Sequence, residues 1–183
     1  MRIDNILRDS RTPILDKWFN LILDTYPGES NRFFSDKNAE FTNPVGHTIA
    51  RDTARVFDML VESSEASEIS EAMEEIIKIR AVQEFSPSQA IGFVFLLKQA
   101  VRSELGGSED LSILRGLAEF EDRIDFCAMI AFDLYMKKRE KLYEIKANEI
   151  RNRNGRIVDR LNRKYDFLDR RPDIGGEEGL PEN

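Results

Sequence analysis

Between Leu111 and Pro172 the chain carries no proline, and Leu114, Leu117, Phe120, Ile124, Cys127, Ala128, Ala131, Phe132 and Tyr135 recur there at helical spacing. Nothing in that stretch removes a backbone donor or forces a turn, so the spacing predicts one helix over about 111–168, kinked near Gly116. A helix of that length dominates what 183 residues can build: one packed core with an extension, and no room for a second full domain.

The extension has its own pattern. Tyr143, Ala147, Ile150, Asn154, Ile157, Leu161, Lys164 and Leu168 follow one another at 4-3-4-3-4-3-4 spacing, the beat of a coiled-coil seam. Asn154 is a seam residue of the kind that fixes register, and Gly155 is a weak point. We therefore expect a helical core over 1–136, an extended basic helix over 137–168 that projects and pairs, and a disordered tail over 169–183, rich in Pro, Gly and acid.

The core reads as further helices. Ser10 or Thr12 before Pro13 resembles a helix start, and Leu15, Trp18, Phe19, Ile22, Leu23 and Tyr26 carry it to about 26, where Pro27-Gly28 stops it. A short polar helix or turn is expected near 30–36, anchored by Phe33 and Phe34. Asn43 caps and Pro44 opens a helix over about 45–63, with Val45, Ile49, Thr53, Val56, Phe57 and Leu60 as its apolar stripe. Ile69, Met73, Ile76, Ile77 and the run Ile79 to Val82 mark another over about 67–84.

Ser86 and Pro87 then start the central helix, apolar nearly all round from Ala90 to Leu97, in which Gly92 is expected to let a neighbouring backbone approach. "GGSEDL" supplies a glycine stop and a Ser108 cap. No strand with period-two alternation survives, so the fold class is all-α.

Charge and composition narrow the function. Residues 1–136 carry a net −10, residues 137–171 a net +7, and residues 172–183 a net −4. An acidic body thus bears a basic arm. No run reaches the roughly 18 apolar residues of a membrane span, and "MRIDNILRDSRTP" lacks the apolar stretch and cleavage site of a signal peptide, which points to a cytoplasmic protein without a membrane partner. Cys127 is the single cysteine, so one chain can build neither a disulfide nor a cysteine-based zinc site. In "IDFCAMIAF" it reads as a small buried hydrophobe.

His47 is the single histidine, and it sits in "FTNPVGHTIARD". A metal site would need two or three further ligands, and Asp52, five residues on, is off its helical face. A residue in the first helical turn is the simpler reading. Haem would need His47 or a less usual axial ligand, and no Cys-x-x-Cys-His motif occurs. Phosphate-loop motifs are absent, and Glu71, Glu74 and Glu75 read as a solvated face because a di-iron bundle would need more histidines. No metal and no cofactor is expected.

Arg151, Arg153, Arg156, Arg160 and Arg163 could meet phosphates, but the acidic body and Glu140, Glu144, Glu149 and Asp159 along the same helix favour pairing or docking over nucleic acid.

Three stretches, "FTNPVGHTIARDTARVFDML", "FSPSQAIGFVFLLKQAVRSEL" and "FDLYMKKREKLYEIKANE", together resemble the N-terminal domain of the RsbRD-type co-antagonists of RsbT, over residues 10–150. The resemblance implies a globin-like helical bundle without haem, dimerised, whose last helix runs on as a linker in regulators of the bacterial general stress response. In those regulators a STAS domain follows and the whole joins the stressosome. Here fifteen residues follow Leu168, so we expect a stand-alone module with no STAS domain.

The expectation is a non-enzymatic signalling or sensory domain acting by protein–protein contact as a homodimer, through Tyr143, Ala147, Ile150, Asn154, Ile157, Leu161 and Leu168. A ligand or haem sensor with a core pocket near His47, Trp18, Phe57 and Phe132 is the alternative from another class. A nucleic-acid adaptor using the basic helix comes third.

Overall fold

The computed structural model describes residues 3–26, 43–83, 85–105, 107 and 110–169, with the side chains of the last helix through 165. Among these residues there are six helices and no strand: α1 (Ile3–Asp9), α2 (Arg11–Leu23), α3 (Pro44–Glu62), α4 (Ala66–Val82), α5 (Pro87–Leu105) and α6 (Leu111–Asp169). The fold is all-α. The turn expected near 30–36, the Ser108 cap and the tail from 170 onward lie outside the described residues. The chain divides into two compact units, Met1–Lys141 and Leu142–Asn183.

Local chemistry explains the helix boundaries. Pro13 sits in the first turn of α2, where its missing N–H is not needed, so the helix starts two residues ahead of it. The short α1, which the sequence reading missed, is held by Ile3 and Leu7, four residues apart and both buried. At α3, Asn43 Oδ1 accepts from the Gly46 N–H at 2.9 Å and Pro44 opens the helix, as expected.

The other end of α3 uses no glycine. Ser63 takes the left-handed conformation at φ 59°, and the Ser64 N–H returns to Met59 O at 2.9 Å. A serine there costs about 1 kcal/mol. At the start of α5, Ser86 N donates to Gln89 Oε1 at 3.0 Å while Gln89 N donates to Ser86 Oγ at 3.4 Å, a reciprocal cap.

In the first unit α2 lies against α5 and α3 against α4. Trp18, Phe57, Phe93, Phe120 and Tyr135 are the large aromatics fully buried in its core. Trp18 and Phe93 stack with centroids 6.4 Å apart, and Phe120 of α6 meets Phe57 edge-on at 6.2 Å.

Polar groups of α6 hold the open ends of its neighbours. Arg123 Nη1 donates to Leu60 O at 2.9 Å, Tyr135 Oη to Phe85 O at 2.9 Å, and Arg139 Nη1 to Ala81 O at 3.1 Å. The last carbonyls of a helix have no intrahelical donor, so α6 supplies one at the ends of α3 and α4, while Phe85 O lies between α4 and α5.

Two expectations about α5 need correction. It is not apolar-buried all round, because Phe95 lies on an exposed face beneath Lys98, whose Nζ is 5.9 Å from the ring centroid. Gly92 permits no close approach either: a Cβ there would meet nothing within 4 Å. The glycine that does so is Gly116, where a Cβ would stand 2.7 Å from Ile3 Cβ. The contact is set by backbone-fixed atoms on both sides, so α1 and α6 can meet only with hydrogen at this position.

Gly116→Ala should therefore destabilise the protein by about 1–3 kcal/mol. In an Ile3→Gly background the same change should stabilise by up to about 1 kcal/mol, through helix propensity. Urea unfolding of the four proteins in this cycle measures both, and equal effects in the two backgrounds would refute the contact.

Burial pushes the Cys127 thiol up to about 12, and its Sγ lies 3.4 Å from Met73 Sδ. A pKa raised on folding gives stability that is complete below the unfolded thiol's pKa and is lost as pH rises toward 12. A disulfide reagent should accordingly label native Cys127 at pH 8 and pH 10 no faster than the chain unfolds. Rapid labelling of folded protein would contradict this burial.

Candidate functional site

Ile69, Met73, Ile76 and Arg80 lie at 4-3-4 spacing along α4, on one helical stripe, and all four are buried. The stripe delivers a guanidinium to the core: Arg80 is 0% exposed, whereas its apolar neighbour Val82 is 64% exposed. Three rings surround the cation, with its Cζ 4.8 Å from the Phe93 centroid, 5.0 Å from Phe85 and 5.2 Å from Tyr26.

Its Nη1 donates to Gln89 O at 3.1 Å and its Nη2 to Thr25 Oγ1 at 3.1 Å. Thr25 Oγ1 in turn donates to Ile22 O at 2.6 Å. Among the described residues Arg80 Nε has no hydrogen-bonding partner, and neither has the buried Gln83 Oε1 three residues further along.

Among the described residues no carboxylate forms an ion pair with this cation. Burial drives the Arg80 pKa below the usual arginine range, with the Tyr26 hydroxyl acting the other way, while burial raises Tyr26. A guanidinium stays protonated in proteins all the same. The result is a permanent charge in a low-dielectric aromatic cage, with donors left over. Such an arrangement can hold an anion.

The residues singled out from sequence fall elsewhere. His47 is half-buried in the first turn of α3, its backbone N–H on Asn43 O at 3.1 Å. Trp18 donates from Nε1 to Phe93 O at 2.8 Å and spends its face on that ring, Phe57 meets Phe120, and Phe132 is 41% exposed. None of the four lines the cleft of about 380 Å³ formed by Met59, Leu60, Ser63, Ile69, Arg123 and Phe126.

Glu74 pairs with Lys138, Glu75 with Lys78 at 3.3 Å, and Glu71 is exposed. Among the described residues no group of three or more His, Cys, Asp or Glu could hold a metal, and no helix is long and apolar enough to cross a membrane.

In the second unit, Tyr143, Ile150, Ile157 and Leu161 are between 48% and 60% exposed, and Ala147 and Asn154 are exposed as well. The Leu168 side chain lies outside the described ones. Arg80 is hard to single out from sequence because it lies inside the apolar run Ile79 to Val82. The signal was present, since position 80 continues the buried stripe.

The family model of the RsbT co-antagonist protein rsbRD N-terminal domain matches residues 12–150. That span contains α2 through most of α6, including the whole aromatic cage. No curated protein and no solved structure matches the chain. With most of its length under that one model, the chain belongs to the RsbT co-antagonist rsbRD N-terminal domain family.

Proposed function

We propose that this protein is a non-enzymatic, cytoplasmic signalling module that works by protein–protein contact, as a homodimer paired through the distal part of α6, in regulation of the stress-response type. One observation carries the pairing: Tyr143, Ala147, Ile150, Asn154, Ile157 and Leu161 keep a 4-3 spacing and are exposed together. Isolated exposed apolar residues are ordinary, but a periodic row of them on one helix is the form in which two helices bury a seam.

Family membership supports the signalling part of the reading. Arg151, Arg153, Arg156, Arg160 and Arg163 share their helix with Glu144, Glu149 and Asp159, a mixture suited to flanking pairs between two helices.

Ile150→Glu combined with Ile157→Glu in the full chain should turn a dimer into a monomer. A dissociation constant raised by at least about 100-fold is expected from two charged seam positions. Asn154→Ile should tighten association while broadening the oligomer distribution, because the register-fixing polar residue is gone. Sedimentation equilibrium reads both, with circular dichroism as the check on folding. A wild-type protein that stays monomeric at high concentration, or a double variant that associates unchanged, would sink the pairing.

A further inference from the structure

We infer that Arg80 is the anchor of a binding site for a small carboxylate that also carries a hydrogen-bond donor, such as a hydroxy acid or an amino acid. This deepens the signalling reading by naming the chemistry of a signal, and it rests on that reading only for its physiological meaning.

Two orphan atoms, on residues three apart at the end of α4, carry the inference. Arg80 Nε is a buried donor and Gln83 Oε1 a buried acceptor, neither with a partner among the described residues. A cation removed from water is strongly disfavoured without a counter-charge, and among the described residues the groups around this one are neutral: two oxygens and three ring faces.

The two orphans want opposite things, a negative acceptor and a proton donor. A hydroxy or amino carboxylate provides both in one small molecule. Its carboxylate would span Nε and Nη2, which keeps a second hydrogen after bonding Thr25 Oγ1, in the two-point geometry a guanidinium fork favours. Its hydroxyl or ammonium would face Gln83 Oε1. The rings of Tyr26, Phe85 and Phe93 would cover its carbon atoms.

Arg80 itself is 0% exposed, so a ligand would reach it only past the side chains at the end of α4. Gln83 and Phe85 are only half-buried, so the cage lies near the surface at the turn joining α4 to α5. A monocarboxylate suits this cage better than phosphate, because one guanidinium balances one negative charge and a buried phosphate dianion would keep an uncompensated second one.

The test uses the full chain and titration calorimetry at constant ionic strength with acetate, lactate, alanine, benzoate, inorganic phosphate and chloride. Lactate or alanine should bind more tightly than acetate, and phosphate and chloride more weakly than either. Thermal unfolding should show a rise of about 5 °C once the preferred acid is at roughly a hundred times its dissociation constant.

Arg80→Lys keeps the charge but loses the fork and should weaken binding at least about 10-fold. Gln83→Leu removes the acceptor and should erase the preference for lactate or alanine over acetate. If Arg80→Lys fails to fold, the Gln83→Leu preference decides. Native mass spectrometry of the purified protein covers the case of a retained acid: an extra small-acid mass, absent from whichever of these variants folds, supports the site.

The proposal is overturned if no carboxylate binds and no acid is retained, if phosphate binds as well as lactate, or if folded variants bind like wild type. Because binding is read without regard to oligomeric state, its failure leaves the pairing of α6 standing. Loss of pairing leaves the site standing in turn.

Discussion

A buried guanidinium sets the terms on which three elements meet. Arg80 comes from the last turn of α4, Thr25 from just beyond the end of α2, and Gln89 from the first turn of α5, so its two hydrogen bonds tie three helix termini to one planar group. An apolar side chain of similar volume would fill that place with less desolvation, by as much as several kcal/mol on the scale of buried ion pairs. The rings recover part of the difference, since a desolvated cation over an aromatic face gains about 2 kcal/mol or more. The Trp18–Phe93 stack extends the same column of side chains into the core.

Helix ends recur as the places where this fold is fastened. Leu60 O and Val61 O at the end of α3 receive Arg123, and Ala81 O at the end of α4 receives Arg139. Leu60 O also accepts the Ser63 N–H at a long 3.4 Å, and a side chain that completes such a terminal carbonyl gains much of a charge-assisted hydrogen bond because water would otherwise have to reach it. The middle of each helix is held differently, by apolar packing in which Ile14, Phe57, Met73 and Leu97 are fully buried. Packing sets which faces meet, and the cationic clamps set where along each helix they stop.

Most of this organisation was legible in the sequence because it rests on periodicity. The α3, α4, α5 and α6 spans fall within two residues of the expected ones, and Asn43, Pro44 and Ser86 act at the starts where their chemistry put them. What failed to show depends on partners distant in the chain. Gly92 and Gly116 look alike as helical glycines, and only the arrival of Ile3, more than a hundred residues before Gly116, separates them. α1 is a seven-residue helix with two buried side chains, too short for a period to be read.

The candidate site is hidden for a related reason: periodicity places position 80 inside, residue type suggests outside, and the apolar run around it masks the conflict. A disagreement between register and residue type is where sequence reasoning should look for function.

The location of the cage also bears on how a signal could leave it. A ligand shifts a conformational equilibrium only through differential affinity for two arrangements. At the middle of a helix, changing the arrangement would break ladder hydrogen bonds and open a packed core. At the Arg80 junction the joints among the described residues are two side-chain hydrogen bonds and three ring contacts, and every element involved begins or ends there.

An anion that took hydrogen bonds from the Thr25 edge of the guanidinium would compete with the joint between α2 and α4, while one held at Nε would leave that joint intact and neutralise the charge. Both effects act on termini, where rigid helices can move as bodies at least cost. Ligand chemistry would then be read out as a change in how helix ends are held.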